Sequence, residues 1–130
     1  MDASVELVKH LLQSVVYLHA TVSRDHPSTR ILGDERMGSG VIVDSSGLIL
    51  TVNYVVMGGQ SVDVTFQKGR RAKGEIVAQD YEVGLALVRV KRQGLPAVRL
   101  GSSDALERGD AVISLAAIGA QERRIAGGVV

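Results

Sequence analysis

The stretch from Met37 to Met57 constrains this chain most. It reads Met-Gly-Ser-Gly-Val-Ile-Val-Asp-Ser-Ser-Gly-Leu-Ile-Leu-Thr-Val-Asn-Tyr-Val-Val-Met. Two apolar runs, Val41-Ile42-Val43 and Leu48-Ile49-Leu50-Thr51, flank Asp44-Ser45-Ser46-Gly47. β-Branched runs separated by turn formers specify a hairpin, with Gly47 free to take positive φ. Gly38 and Gly40, on either side of Ser39, permit a close backbone approach that a Cβ would forbid.

Alternation with period two recurs along the chain. Val16, Leu18, Ala20 and Val22 share one face of a strand over 15–22, with Tyr17, His19 and Thr21 on the other. Val62, Val64 and Phe66 alternate inward, Lys68-Gly69-Arg70 turns, and 71–80 continues through Ala72, Gly74, Ile76 and Ala78. The apolar run Leu85–Val90 suits burial on both faces. Residues 24–36 read as a polar loop and Gln93-Gly94-Leu95-Pro96 as a linker; Asp104 is expected to cap a single turn, and 111–115 and 125–130 are further strands. Near the start, apolar residues at 5, 7, 8, 11 and 12 make a short helical stripe with Ser4 as N-cap.

Six short strands before residue 91 predict an all-β chain built on an antiparallel barrel or sandwich. For a closed barrel over 15–90, the expected interior is Val16, Leu18, Val41, Val43, Ile49, Val64, Ile76 and Leu87. At 130 residues the chain suits one domain able to bury a core. With 45% apolar but 3% aromatic residues, that core must be aliphatic.

Fifteen basic against 14 acidic residues, a net charge of +1, give no electrostatic case for nucleic acid or an anionic membrane. The basic knot Lys68, Arg70, Arg71 and Lys73 reads as a solvated hairpin tip without interleaved aromatics. There is no cysteine, hence no disulfide or thiolate metal site, and no cofactor or metal is expected. No apolar run approaches the ~20 residues of a membrane span. Met1-Asp2-Ala3-Ser4 lacks the basic start and apolar middle of a signal peptide.

Gly-Ser-Gly-Val-Ile-Val, then Gly-Leu-Ile-Leu-Thr, then Asn-x-Val-Val resembles the trypsin-like serine proteases, and within them the HtrA/Deg type. The likeness covers roughly residues 5–130. It continues through Lys68-Gly69-Arg70, Ala78-Gln79-Asp80-Tyr81-Glu82-Val83-Gly84-Leu85-Ala86-Leu87, Leu95-Pro96, Leu100-Gly101-Ser102-Ser103 and Arg108-Gly109-Asp110. The resemblance implies a pair of six-stranded barrels, the first bearing a catalytic histidine and aspartate and the second a serine. On that basis 1–13 is an N-terminal helical segment, 14–92 the first barrel, and 93–130 the crossover and opening strands of a second barrel cut short at Val130.

Carried over residue by residue, the histidine position is Tyr54 and the aspartate position is Gly84. The serine motif Gly-Asn-Ser-Gly-Gly does not occur. Acyl transfer needs a base that takes the serine proton near neutral pH and returns it. Tyrosine, with a pKa near ~10, is poorly matched to that task, and glycine has no carboxylate to orient a base. The remaining candidates each have a plainer role. His10, His19 and His26 fall on a helix, an outer strand face and a loop; Ser39 falls in a glycine turn without the setting of a nucleophile elbow; Asp80 is a turn former. Tyr54 is expected to plug the space left by the histidine.

Three readings stand. The chain is a non-catalytic pseudoprotease with a binding or scaffolding role, a piece of an active HtrA-type endopeptidase whose serine lies elsewhere, or an oligomerising interaction domain. The resemblance implies peptide or unfolded protein as partner, a homo-oligomer assembled through the N-terminal segment, and a periplasmic or extracytoplasmic setting.

Overall fold

The computed structural model describes residues 3–130. Met1 and Asp2, which belong to the N-terminal segment and to the reading of the chain's start, lie outside the described residues. Helix α1 (Ala3–Leu12) leads into strand β1 (Val15–Val22). A one-turn helix α2 (Thr29–Leu32) interrupts the segment expected to be loop, and β2 (Glu35–Asp44) and β3 (Leu48–Val52) form the central hairpin. The one-turn helix α3 (Asn53–Val56) follows β3 directly, before β4 (Gly59–Thr65), β5 (Arg71–Asp80) and β6 (Leu85–Val90). Strands β7 (Ala111–Ala117) and β8 (Arg123–Val129) come after the crossover.

The first six strands close into an antiparallel barrel in the order β1-β2-β3-β6-β5-β4, and β7 and β8 form a separate two-stranded sheet. The fold is therefore all-β with a short N-terminal helix, as the alternation and the resemblance both predict. That helix begins at Ala3, so Ser4 lies inside it rather than capping it.

Pairing fixes which residues enter the barrel. Ile42 faces Ile49, Ile49 faces Val88, and Val88 faces Ile76, so these four form one row. Ile42, Ile49 and Val88 are fully buried, with Val16, Leu18 and Val64; Ile76 packs partly buried against them. Val41, Val43 and Leu87, expected inside, are half-buried on the outer phase instead. Slipping the phase by one residue exchanges the faces of a whole strand.

The reason lies in β2, whose inward positions are Arg36, Gly38, Gly40 and Ile42. A Cβ on Gly40 would stand 2.7 Å from Ile49 and 3.1 Å from Leu18 and Val16, so the backbone itself fills that part of the core. The outer apolar residues are covered by other segments. Val98 donates its N–H to the Ile42 carbonyl at 2.9 Å, and the Ser14 hydroxyl donates to the Pro96 carbonyl at 2.8 Å, laying the crossover along β2. Two-sided burial thus falls on β2 and β3. On β6, by contrast, Ala86, Val88 and Val90 are buried while Leu85 is exposed.

In the crossover, the Ser102 hydroxyl rather than Asp104 caps the short 3-10 turn Ser103–Ala105, accepting the Asp104 N–H at 3.3 Å. A serine there needs no change of backbone to reach the free N–H two residues on.

Gly40→Ala should lower stability by about 1–3 kcal/mol, the usual cost of forcing a methyl into a packed core. Gly101→Ala, where a Cβ meets nothing within 4 Å, should be near neutral. Urea midpoints of the two variants beside the parent check this.

The hairpin turn supplies a pH test. The Asp44 carboxylate accepts from the Ser46 hydroxyl at 2.7 Å and the Ser46 N–H at 2.9 Å, and these bonds hold its pKa below the usual carboxylate value. A lowered folded-state pKa contributes stability above the unfolded carboxylate value, about 4, and that contribution is lost as pH falls through the folded value. Asp44→Asn should therefore be less stable than the parent at neutral pH. The gap should close in acid, as followed by urea midpoints across a pH series.

Candidate functional site

Tyr54 and Gly84 meet at one end of the barrel, where β3 ends and β6 begins. Val52 pairs with Leu85, so the positions that follow and precede them, 53–54 and 84, are neighbours. The Asn53 N–H donates to the Gly84 carbonyl at 2.7 Å. Asn53 is buried, and its side-chain carbonyl accepts from the Gln79 amide at 2.7 Å. This bond is a fixed support beneath Tyr54, linking α3 to β5.

Tyr54 itself stands 53% exposed, so the ring projects outward and does not plug a vacated space. One helical turn cannot turn both Val55 and Val56 into the core and also bury the residue before them. Gly84 has φ +79°, and a Cβ there would meet nothing within 4 Å. There is room for a side chain at 84, but an L-residue would have to take a left-handed conformation, which aspartate tolerates better than most.

The turn is held from below by Arg36, a residue read from sequence as loop. Arg36 is 3% exposed. Its guanidinium donates to the Tyr54 carbonyl at 3.0 Å, the Met57 carbonyl at 2.8 Å and the Ser28 hydroxyl at 2.5 Å. It thus satisfies carbonyls that a single helical turn leaves without partners. Its Nε has no partner among the described residues. The available signal was the inward phase of β2 extended back from Gly40 and Gly38.

His26 comes to the same side. Its ring lies against Gly58, and Nδ1 is within 2.6 Å of the Ser28 hydroxyl, so it is engaged with the support of the turn. His19 sits 3.5 Å from Glu35 on the outer face of β1, and His10 is on α1. Asp80 accepts the Glu82 N–H at 2.9 Å and the Val83 N–H at 3.2 Å, as a turn former does.

Ser39 is a strand residue rather than the turn residue expected. It lies within β2, donates its hydroxyl to the Ala117 carbonyl at 2.9 Å and accepts the Ala117 N–H at 2.8 Å, fastening β7 to the barrel. Sequence spacing carries no signal for that contact, which spans 78 residues.

An apolar groove of about 430 Å³ runs past the paired Val52 and Leu85, lined by these with Leu11, Val15, Leu50 and Ile113 among others. Its two hydroxyls are already engaged, Ser39 as described and Thr51 in donating to the Ser39 carbonyl at 2.8 Å. Among the described residues no group of three or more His, Cys, Asp or Glu is placed to hold a metal ion. No helix among them is long and apolar enough to cross a membrane.

The family model described as a trypsin-like peptidase domain matches residues 38–130. The chain belongs to this family. HhoA of Synechocystis sp., which carries a serine-protease name, is 42% identical over 80 residues, covering 60% of this chain and 20% of its own length. Do-like 14 of Arabidopsis thaliana, named as a protease, is 37% identical over 103 residues, 72% of this chain and 24% of that one. A DegP-like protein of Ectopseudomonas mendocina, named as a periplasmic serine endoprotease, is 30% identical over 81% of this chain and 22% of its own.

Among solved structures, the HtrA-type protease AlgW with tripeptide superposes with a TM-score of 0.84 at 25% identity, over 99% of this chain and 40% of that one. The trypsin-like domain described here is thus of HtrA type, and the chain spans about a fifth to a quarter of the curated relatives' length.

Replacing Arg36 by Met leaves the Tyr54 and Met57 carbonyls unpaired under α3. The expected loss is about 3 kcal/mol, since hydrogen bonds from a charged donor contribute ~1.5–3 kcal/mol each and unpaired partners add a penalty. Arg36→Lys should recover little, because one ammonium cannot reproduce the fork. Urea unfolding of both variants decides it.

Proposed function

We propose that this chain is a non-catalytic trypsin-like module that binds peptide or unfolded protein. The observation carrying the proposal is Tyr54, which occupies the position the resemblance assigns to the catalytic base, beside a Gly84 that carries no carboxylate. A phenol is a poor match to the general base of acyl transfer. Without a base the orienting acid has no purpose, so the two substitutions agree.

What such a scaffold retains is binding, and uniform binding of substrate lowers no chemical barrier. The apolar groove past Val52 and Leu85 supports a peptide ligand, and the likeness to a protease solved with a tripeptide points the same way. In this reading 14–92 is the first barrel and 93–130 opens a second. A periplasmic or other extracytoplasmic setting follows the name of the DegP-like relative.

A second reading has its own support. The relatives bear protease names and are four to five times longer than the stretch they share with this chain, which suits a piece of an active endopeptidase.

One experiment separates the two. The purified chain should not cleave casein above a buffer blank and should not be labelled by a serine-directed phosphonate. Joined to a second barrel bearing an intact serine motif, it should stay inactive, and Tyr54→His alone should do little. Tyr54→His with Gly84→Asp should raise turnover by several powers of ten, the usual scale of a triad's contribution. Cleavage by the unaltered chain would overturn the pseudoprotease reading.

A further inference from the structure

The pairing of β5 with β6 gathers basic residues that are far apart in the sequence. Seven of the 15 lysines and arginines fall in two short stretches, 68–73 and 89–92. Glu75 lies opposite Arg89 and Gly74 opposite Val90, so the two stretches run side by side on the barrel. Ala72, Ile76, Val88 and Val90 belong to the core or pack against it. Alternation therefore turns Arg71, Lys73 and Arg89 outward. Lys73, Arg89, Lys91 and Arg92 edge a hollow of about 440 Å³. This face lies across the barrel from β7, which packs against β1 and β2. It therefore does not depend on what completes the β7–β8 sheet.

The arrangement costs the fold rather than supporting it. Lys73 and Lys91 share the hollow, and like charges facing each other across a strand pair are destabilising. Arg71 and Lys91 are exposed, and among the described residues their side chains have no ion pair or hydrogen bond. Arg92 is held in place. Its guanidinium stands 5.3 Å from the centre of the Phe66 ring and donates to the Arg71 carbonyl at 2.6 Å. The other N–H groups of that fork are left for a ligand. Against these five cations stand two carboxylates, Asp63, tied to Lys73 at 2.6 Å, and Glu75 in the hollow. Asp44, in electrostatic reach of Arg89, is engaged by Ser46. The face is thus cationic on a chain whose net charge is only +1.

Surplus positive charge selects an anionic partner, and its layout favours a peptide. Outward residues recur at every second position of a strand, about 7 Å apart, and neighbouring strands lie ~4.8 Å apart. An extended segment with a carboxylate at every second residue has the same period. A continuous chain of phosphates would have to pass Glu75, whereas a peptide can set an uncharged residue there. No aromatic ring lines the hollow to stack a base, and no large apolar side chain lines it to enter a bilayer.

We infer that the outer face of β5 and β6 binds an extended acidic peptide segment, with its carboxylates set against Arg71, Lys73, Arg89, Lys91 and Arg92. The inference needs neither the Tyr54 site nor any statement about catalysis.

The test is fluorescence anisotropy of a labelled peptide of alternating glutamate and serine, titrated with the 130-residue chain. The peptide should bind at low salt and lose roughly tenfold in affinity by about 0.3 M, because exposed charges are screened. The same peptide with glutamine for glutamate should not bind. Arg71→Glu with Lys91→Glu should weaken binding roughly tenfold or more. Arg30→Glu with Arg108→Glu, an equal charge change off this face, should bind as the parent does. Lys91→Glu alone should have a urea midpoint equal to the parent's or above it, since it sets an opposite charge beside Lys73; lost binding is then not lost folding. No binding at low salt overturns the inference. So does equal binding of the glutamine peptide, or undiminished binding by the Arg71→Glu, Lys91→Glu variant. Tighter binding of oligothymidylate or of phosphatidylserine vesicles than of the acidic peptide overturns it as well.

Discussion

The approach of β2 to the barrel interior is the constraint on which the rest depends. At Gly40 the backbone lies where a side chain would otherwise be, within 2.7 Å of Ile49 for any added Cβ. Gly38 is equally close to Val55, the residue after Tyr54. These two contacts pull β2 inward at the end of the barrel that carries α3. They also set the strand's phase, so that Ile42 enters the core and Arg36, three repeats of the pleat earlier, enters with it. An arginine is seldom so deeply buried. Here the phase leaves it no other direction, and the free carbonyls of α3 supply its partners.

Site and core are therefore one construction. The buried guanidinium binds the loop through Ser28 to the turn through Tyr54 and Met57. From the other side Asn53 is held by Gln79 and by the Gly84 carbonyl. The position of Tyr54 is thus fixed by backbone contacts that do not depend on which side chain it carries. The geometry of the turn therefore holds whatever side chain stands at position 54. The hydrophobic core contributes through burial of Val55 and Val56, and no ionisable group is needed for that.

The β7–β8 sheet stands in contrast. It is fastened to the barrel by Ser39, through both the carbonyl and the N–H of Ala117, while its far end carries exposed Ile125 and Val129. A two-stranded ribbon is marginal by itself and gains stability from what it packs against. Here one end is anchored, and among the described residues no strand pairs with the outer edge.

Much of the architecture was legible in the residues. Period-two alternation located β1, β4 and their inward faces, because one face of each is buried and the other is not. Asp44-Ser45-Ser46-Gly47 located the central turn, because the Asp44 carboxylate and a glycine at positive φ act within four residues. The resemblance singled out positions 54 and 84, and the pairing of Val52 with Leu85 brought them together. What the sequence could not decide was the phase of β2 and β6. Apolar residues occupy both faces of each there, and the glycines that settle the phase of β2 do so through contacts with Ile49, Leu18 and Val16 on other strands. Arg36 was missed for the same reason: a charged residue looks solvent-exposed until the fold closes carbonyls around it. Local rules determined each strand and turn whose cause lay within a few residues. Closure of the barrel decided the rest, since a side chain with apolar neighbours on both sides takes its direction from the strand it is paired with.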